Sequence, residues 1–317
     1  MSEVLSSPQA GSAARFGGKG SDGPDVICIG AQKAGTRWLY DQLAFHPEFW
    51  MPPVKELHFF DGAKPGFRKA KRLQARIEND LEKVNRMRAE DASPPLTARD
   101  LRFLEGYLAL FGDKKLMKDK ASATERYARL FDEKGSHKTG DVTPAYSKLG
   151  DDDVRAIVRR FPEAKVVFIA REPVERAWSA LGMAARHTKS RIKQPVTPAA
   201  LRKFLKRKDV AGRSFPSHTV ERWRKWAPPG SFECYFFDDL RHDPAGLRAR
   251  MLKFLGADPN LPSGDLEPGF NRKSASAKLV MSDELRETLV GHFAEEIRKC
   301  ADMLGGRAVE WRNKYNL

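Results

Sequence analysis

Cysteine is scarce: the 317 residues hold three, Cys28, Cys234 and Cys300, each in an apolar context and none spaced as a CxxC pair. This excludes a disulfide framework and a thiolate zinc site, suits a reducing compartment, and assigns the three thiols to packing. No apolar run approaches the ~18 residues that span a bilayer. The N-terminus lacks the apolar core of a secretory leader, so the expected location is cytoplasmic. His46, His137, His218, His242 and His292 stand at no metal-ligand spacing. Acidic charge is short as well, with 42 Asp and Glu against 57 Lys and Arg, a net +15. Such an excess asks for an acidic partner: a nucleotide, a nucleic acid, an anionic polysaccharide or a membrane surface.

What is present reads as α/β. Residues 1–24 are rich in Ser, Gly and Ala without periodicity and are expected to be a disordered tail. From Asp25 to the end, short apolar runs alternate with helical patterns. The expected strands are Val26–Gly30, Ala164–Ala170, the clearest, and Ser231–Phe237, and the α/β pattern resumes at Thr139–Tyr146, where Asp141 is expected just after a strand. Helices are expected over Asp151–Phe161, Pro173 to about His187, Pro198–Lys208, Ser217–Trp226 and Pro244–Leu255. A last helix is capped by Ser282 and stopped by Gly305-Gly306. Residues 64–138 differ. Ala70, Leu73, Ile77, Leu81, Val84 and Met87 fall at spacings of three and four, Thr97 and Asp100 open a second helix, and a third lies near Thr124–Phe131. The expected fold is a P-loop-like three-layer arrangement, with a mainly parallel sheet, helices on both faces and this helical insertion. In such sheets ligands bind beyond the carboxyl ends of the strands, where Lys33, Asp141 and Arg171 fall.

The stretch after the first strand carries the chemistry. Gly30 and Gly35 are five positions apart, the P-loop spacing, and a helix follows, so backbone amides and the helix's positive end can cradle phosphate. The Lys-Ser/Thr that helps to hold Mg²⁺ in P-loop NTPases is replaced by Thr36-Arg37, and the lysine, Lys33, lies inside the loop. Two cations, Lys33 and Arg37, can then neutralise phosphate without a metal. Where an NTPase needs an acid after a second buried strand, this chain has Arg171. Together with Ser179 in the following helix, Arg171 suits a second phosphate. A nucleotide with phosphates at both ends of its ribose would use both sites.

These residues resemble the sulfotransferases that use 3′-phosphoadenosine 5′-phosphosulfate (PAPS). Gln32 to Arg37 is similar to their 5′-phosphosulfate loop and Val167 to Ser179 to their 3′-phosphate motif. Lys55 to Asp61 and Asp141 to Tyr146 are similar to segments of the heparan sulfate branch, the 3-O enzymes especially. Those enzymes carry Glu-Lys before Thr-Pro, where this chain has Asp141-Val142. The resemblance implies that Lys33 stabilises the departing phosphate, and that Gln32, Ala34, Gly35, Thr36 and Arg37 bind the 5′ end. It implies that Arg171 and Ser179 bind the 3′-phosphate, and that Glu56 is the base with His58 beside it. Asp141 would orient a substrate hydroxyl or Lys33, and a loop with Arg272 and Lys273 would close over the nucleotide. The implied activity is metal-free sulfuryl transfer from PAPS to a hydroxyl, most simply of a carbohydrate or glycoconjugate. Two other readings stay open on the residues alone: a P-loop kinase or NTPase, and a basic nucleic-acid-binding protein.

Overall fold

The computed structural model describes residues 22–186, 195–264, 266–270 and 279–317. Its sheet has four strands: β1 (Val26–Gly30), β2 (Gly140–Val142), β3 (Lys165–Ala170) and β4 (Phe232–Phe236). They lie in the order β2-β1-β3-β4 and every pairing is parallel. Side chains along a strand alternate between faces, yet all of β1 and β2 and all but Lys165 of β3 are buried. Helices therefore flank a sheet covered on both sides, which unbroken runs such as Val-Ile-Cys-Ile require. β4 is an edge and is mostly half-buried, with Glu233 exposed.

From β1 the chain goes to β2 on one side and then to β3 on the other. Connections leaving β1 and β3 diverge, and a crevice opens between their carboxyl ends. The loop after β1 forms one wall and the residues after β3 the other.

Among the described residues five α-helices begin with proline at their first turn, where its missing N–H costs nothing: Pro65–Asn79, Pro173–Ala185, Pro198–Leu205, Pro216–Trp226 and Pro244–Phe254. Asp283–Leu304 is capped by Ser282, buries Leu285, Leu289, Phe293, Ile297 and Cys300, and stops at Gly305. Beyond it a helix that the sequence reading did not anticipate, Arg307–Lys314, buries Ala308 and Trp311. Asp151–Arg160 has Gly150 at its N-cap, and Asp151, Asp152 and Asp153 fill its first turn, at the helix's positive end.

Between the helix Thr36–Ala44 and β2 the chain is largely helical: Pro65–Asn79, Leu81–Glu90, Ala98–Gly112 and Lys120–Arg129. The apolar stripe from Ala70 to Met87 reads as one helix, but the structure breaks it at Asp80. That residue is extended and its carboxylate accepts from the Lys83 amide, capping the second helix. Thr97 and Asp100 form a full capping box. An aromatic seam ties the insertion to the 57–60 segment, with Phe59 stacked on Tyr127 at 4.3 Å between centroids. Residues 1–21 of the expected tail lie outside the described residues. Gly23 and Pro24 are buried, and Lys134 donates to the Gly23 carbonyl at 3.1 Å. Among the described residues no helix is long and apolar enough to cross a membrane.

Candidate active site

β1 runs directly into the loop Ala31–Gly35. The Ala31 amide returns to the Ile169 carbonyl of β3 at 2.9 Å, and the Ala34 amide to the Ala31 carbonyl at 3.2 Å. Gly35 has φ 82°, and a Cβ there would lie 2.9 Å from Leu240 Cδ2, so both backbone and packing require glycine. The helix Thr36–Ala44 starts from Gly35 with no side-chain cap, which leaves its positive end open to an anion. Gln32 and Lys33 are half-buried, and Ala34 and Thr36 buried. Arg37 is exposed, pairs with Asp41 at 2.9 Å and lies 5.5 Å from the Tyr40 ring centroid.

Arg171 closes the other wall. It donates to the Lys33 carbonyl and, at 3.4 Å, to Glu175, and its guanidinium lies 4.5 Å from the Phe237 ring centroid. Its Nε is buried without a hydrogen-bond partner. Lys33, Arg171, Ser179, Arg186 and Arg286 line a cavity of about 440 Å³ with one carboxylate, Glu175. Glu175 is already held by Arg171, by Arg241 at 3.0 Å and by Lys314 at 2.9 Å. Burial would raise it, but Lys314 and Arg241 pull it down to about 2. Burial, Arg186 and Arg171 push the Lys33 ammonium below its ordinary value, and burial lowers Arg171 too. Crowded cations with little counter-charge make a site for a ligand with several negative groups.

Glu56 and His58 stand at φ 66° and 60°, and Lys33 at 71°: three of the five non-glycine residues at positive φ among those described. Such backbone is uncommon and concentrates at functional sites. Here the turn is held from behind. Tyr107 donates to the Leu57 carbonyl at 2.7 Å, the His58 amide donates to Thr143 Oγ1 at 3.5 Å, and the Phe59 amide to the Tyr146 hydroxyl at 3.0 Å. Thr143 and Tyr146 in turn donate to Asp141 at 2.6 and 2.7 Å, and Tyr127 donates to it at 2.9 Å. Asp141 is fully buried; burial pushes its carboxyl up while the three hydroxyls pull it back.

The Glu56 carboxylate is ringed by cations. Lys55 Nζ lies 3.3 Å from Glu56 Oε1 and 3.3 Å from Thr36 Oγ1, which ties the turn to the first residue of the cradle helix. Lys69 is 3.5 Å away and His58 Nε2 3.6 Å. Burial would raise Glu56, but His58, Lys55 and Lys69 hold it well below the usual carboxylate range. The other ring nitrogen of His58 meets Asp61 at 2.9 Å. Burial would lower this imidazole, yet Asp61 and Glu56 push it up to about 9, so it is protonated at neutral pH.

The structure thus brings Lys33, Arg171 and Ser179 to one cavity, joins Glu56 to Thr36 through Lys55, and sets His58 directly against Glu56. It turns Arg37 toward Asp41 and places Asp141 behind the Glu56 turn. Arg272 and Lys273 lie outside the described residues. The sequence reading assigned no role to Lys55, Asp61, Lys69, Arg186 or Arg286. Lys55 and Asp61 sit within the segment it singled out. Arg186 follows Ser179 by seven, the spacing of one helix face. Lys69 comes from the next helix, Pro65–Asn79, and Arg286 from the distant Asp283–Leu304, and neither carries a motif signal.

Residues 24–260 match the family model described as "Sulfotransferase family". Comparison with curated proteins gives no match. Among solved structures, the chain is similar to a sulfotransferase from Alicyclobacillus acidocaldarius, with 21% identity, 91% of this chain and 98% of that one covered, and a TM-score of 0.57. It is also similar to the sulfotransferase domain of the Synechococcus PCC 7002 olefin synthase, at 15% identity, 86% and 95% covered and a TM-score of 0.47. The family match spans β1 to β4 and takes in the cradle, the Glu56 turn and the Arg171 wall, and on it the chain belongs to the sulfotransferase family.

Proposed function

We propose that the protein is a PAPS-dependent O-sulfotransferase. One observation carries the reading: the cavity between β1 and β3, with Lys33, Arg171, Arg186 and Arg286 against a single, already paired Glu175. The buried Arg171 Nε, without a partner, and the open start of the Thr36–Ala44 helix fit two separate phosphate groups. PAPS supplies the sulfuryl group and the phosphate that leaves. Lys33 and the helix amides stabilise the electron pair left on the 5′-phosphate oxygen as its bond to sulfur breaks. Arg171 and Ser179 hold the 3′-phosphate and so fix the reacting end.

Glu56 takes the proton of the acceptor hydroxyl as that oxygen forms its bond to sulfur. Lys55, Lys69 and His58 keep the carboxylate ionised and thereby weaken it as a base. It accepts the proton late, once bond formation has made the hydroxyl acidic. Asp61 orients His58, and Asp141 serves the turn through Thr143 and Tyr146 rather than touching substrate. The sequence resemblance points to a hydroxyl of a carbohydrate or glycoconjugate as the acceptor, while Glu56 and the cavity themselves require only a hydroxyl. The support for that acceptor class, and for the heparan sulfate branch, is the resemblance of the Lys55–Asp61 and Asp141–Tyr146 segments.

The test is a thermal-shift titration with 3′-phosphoadenosine 5′-phosphate (PAP) in EDTA beside ATP with Mg²⁺. A ligand that binds only the native state raises the melting temperature with concentration. A shift with the bisphosphate alone supports the reading; a shift with ATP-Mg²⁺ alone favours a kinase or NTPase.

A further inference from the structure

We propose that the acceptor lies along a groove between the first two insertion helices, and that it is an amphiphile whose aliphatic segment ends in an anionic group about 10 Å from the accepting hydroxyl, seven residues of helical rise. The proposal rests on the reading of Glu56 as the base.

Lys69, Leu73 and Arg76 fall at i, i+4 and i+7 of the helix Pro65–Asn79 and share one face. Lys69 touches Glu56 at 3.5 Å, so this face starts at the carboxylate. Leu73 and Arg76 line a cavity of about 330 Å³, facing Val84, Met87 and Arg88 of the second helix. Arg37, from the cradle helix, closes one wall. A second cavity of about 520 Å³ shares Arg76, Val84 and Met87 and extends the groove. A molecule with its hydroxyl at Glu56 would therefore run past the cradle along Leu73 to Arg76.

The lining decides the chemistry. Its apolar part is aliphatic, and no aromatic ring lines either cavity, so the C–H faces of a sugar find no platform to stack on. Met87 is 46% exposed, one of two large hydrophobic residues so open among those described, and it lies on the groove. Glu90 and Asp91 also line the first cavity and Asp80, which caps the second helix, lines the second, against Arg37, Arg76, Arg88 and Lys83. Arg37 is held by Asp41, and Arg76 pairs with no carboxylate among the described residues. An aliphatic chain covers Met87 and Val84, and a carboxylate or phosphate at its end answers Arg76.

The test uses the full chain with PAP bound and reads the binding of decanoate, decyl phosphate, decanol and maltotriose by calorimetry. Turnover of ω-hydroxydecanoate with labelled PAPS follows. Decanoate or decyl phosphate should bind at least about tenfold more tightly than decanol, with no binding of maltotriose, and the better anion identifies the head group. Met87→Asp and Arg76→Glu, both on the surface, should each weaken that binding about tenfold or more and leave PAP binding unchanged. Equal amphiphile affinity in both variants and the parent overturns the proposal, as does maltotriose binding that the same variants abolish. Amphiphile binding that depends on Met87 and Arg76 in a protein that fails to bind PAP would keep the groove and remove the sulfotransferase reading.

Discussion

Lys33 and Arg171 follow β1 and β3 directly, in a cavity whose cations outnumber its carboxylates. Glu56 sits on a loop among three cations, and the backbone after it hangs from Tyr107, Thr143 and Tyr146. One side of the reaction centre is placed by strand ends and backbone, the other by side chains from several elements. On the first side charge is left uncompensated and waits for a ligand. On the second it is compensated in advance, so that a carboxylate stays ionised. Loss on the first side should therefore show in nucleotide binding and turnover together, and loss on the second in turnover alone.

The sharpest way to break this contrast is a pair of variants. Glu56→Gln removes the proposed proton acceptor without adding bulk, and turnover should fall by ~10²–10⁴-fold with the affinity for PAP unchanged. Lys33→Ala removes the cation proposed to stand beside the leaving phosphate; turnover should fall by ~10²–10³-fold and PAP should bind more weakly. Steady-state kinetics beside a PAP titration read both. A Glu56→Gln enzyme that also loses PAP affinity would show that the two sides are one electrostatic unit.

Asp141→Asn tests how the second side is held. Thr143 and Tyr146 each donate their only proton to Asp141, which leaves their lone pairs to accept from the His58 and Phe59 amides. An amide at position 141 offers N–H where a hydroxyl must donate, so at least one buried hydroxyl loses its acceptor and has to turn, which disturbs the backbone amide it holds. The cost in stability is ~1–3 kcal/mol. Turnover should fall about tenfold while PAP affinity holds, in line with the free energy of one lost hydrogen bond. Unchanged turnover would mean that the turn needs no such support.

How much of this was legible in the sequence follows the same division. Gly30, Gly35 and Lys33 are written next to one another after an unmistakable strand, and Arg171 ends another, so the phosphate side could be read from local order. The placing of Asp141 beside the Glu56 turn could not, since Thr143 and Tyr146 are its neighbours in sequence but meet the His58 and Phe59 amides, far away in the chain, only once the fold has formed. The same holds for Lys69, which meets Glu56 only once the insertion's first helix packs beside the turn. The break at Asp80 was missed because an apolar stripe continues across it in phase, and the stripe's period does not reveal that an aspartate will cap the second helix.

A pH series sharpens the comparison next. His58 is held at about 9 in the folded protein, above the ordinary 6.5, by Asp61 and Glu56 against burial. Its ion pairs therefore contribute their full stability below pH 6.5, and the contribution is lost as pH rises from there through 9. The melting temperature should fall over that window, and Asp61→Asn should flatten the fall. A melting curve indifferent to pH between 6.5 and 9 would mean that the imidazole is not held protonated.

The smallest effect belongs to Ser179→Ala, on the cavity wall beside Arg171. In the proposed reading the hydroxyl is one neutral donor to the 3′-phosphate, next to arginines that carry the charge. Its loss should weaken PAP several-fold, the ~0.5–1.5 kcal/mol of a single hydrogen bond, and leave the affinity for adenosine 5′-phosphate unchanged. That pairing isolates the 3′ group, because only PAP carries it. Equal weakening of both nucleotides would move Ser179 to the 5′ side of the cavity, against Lys33.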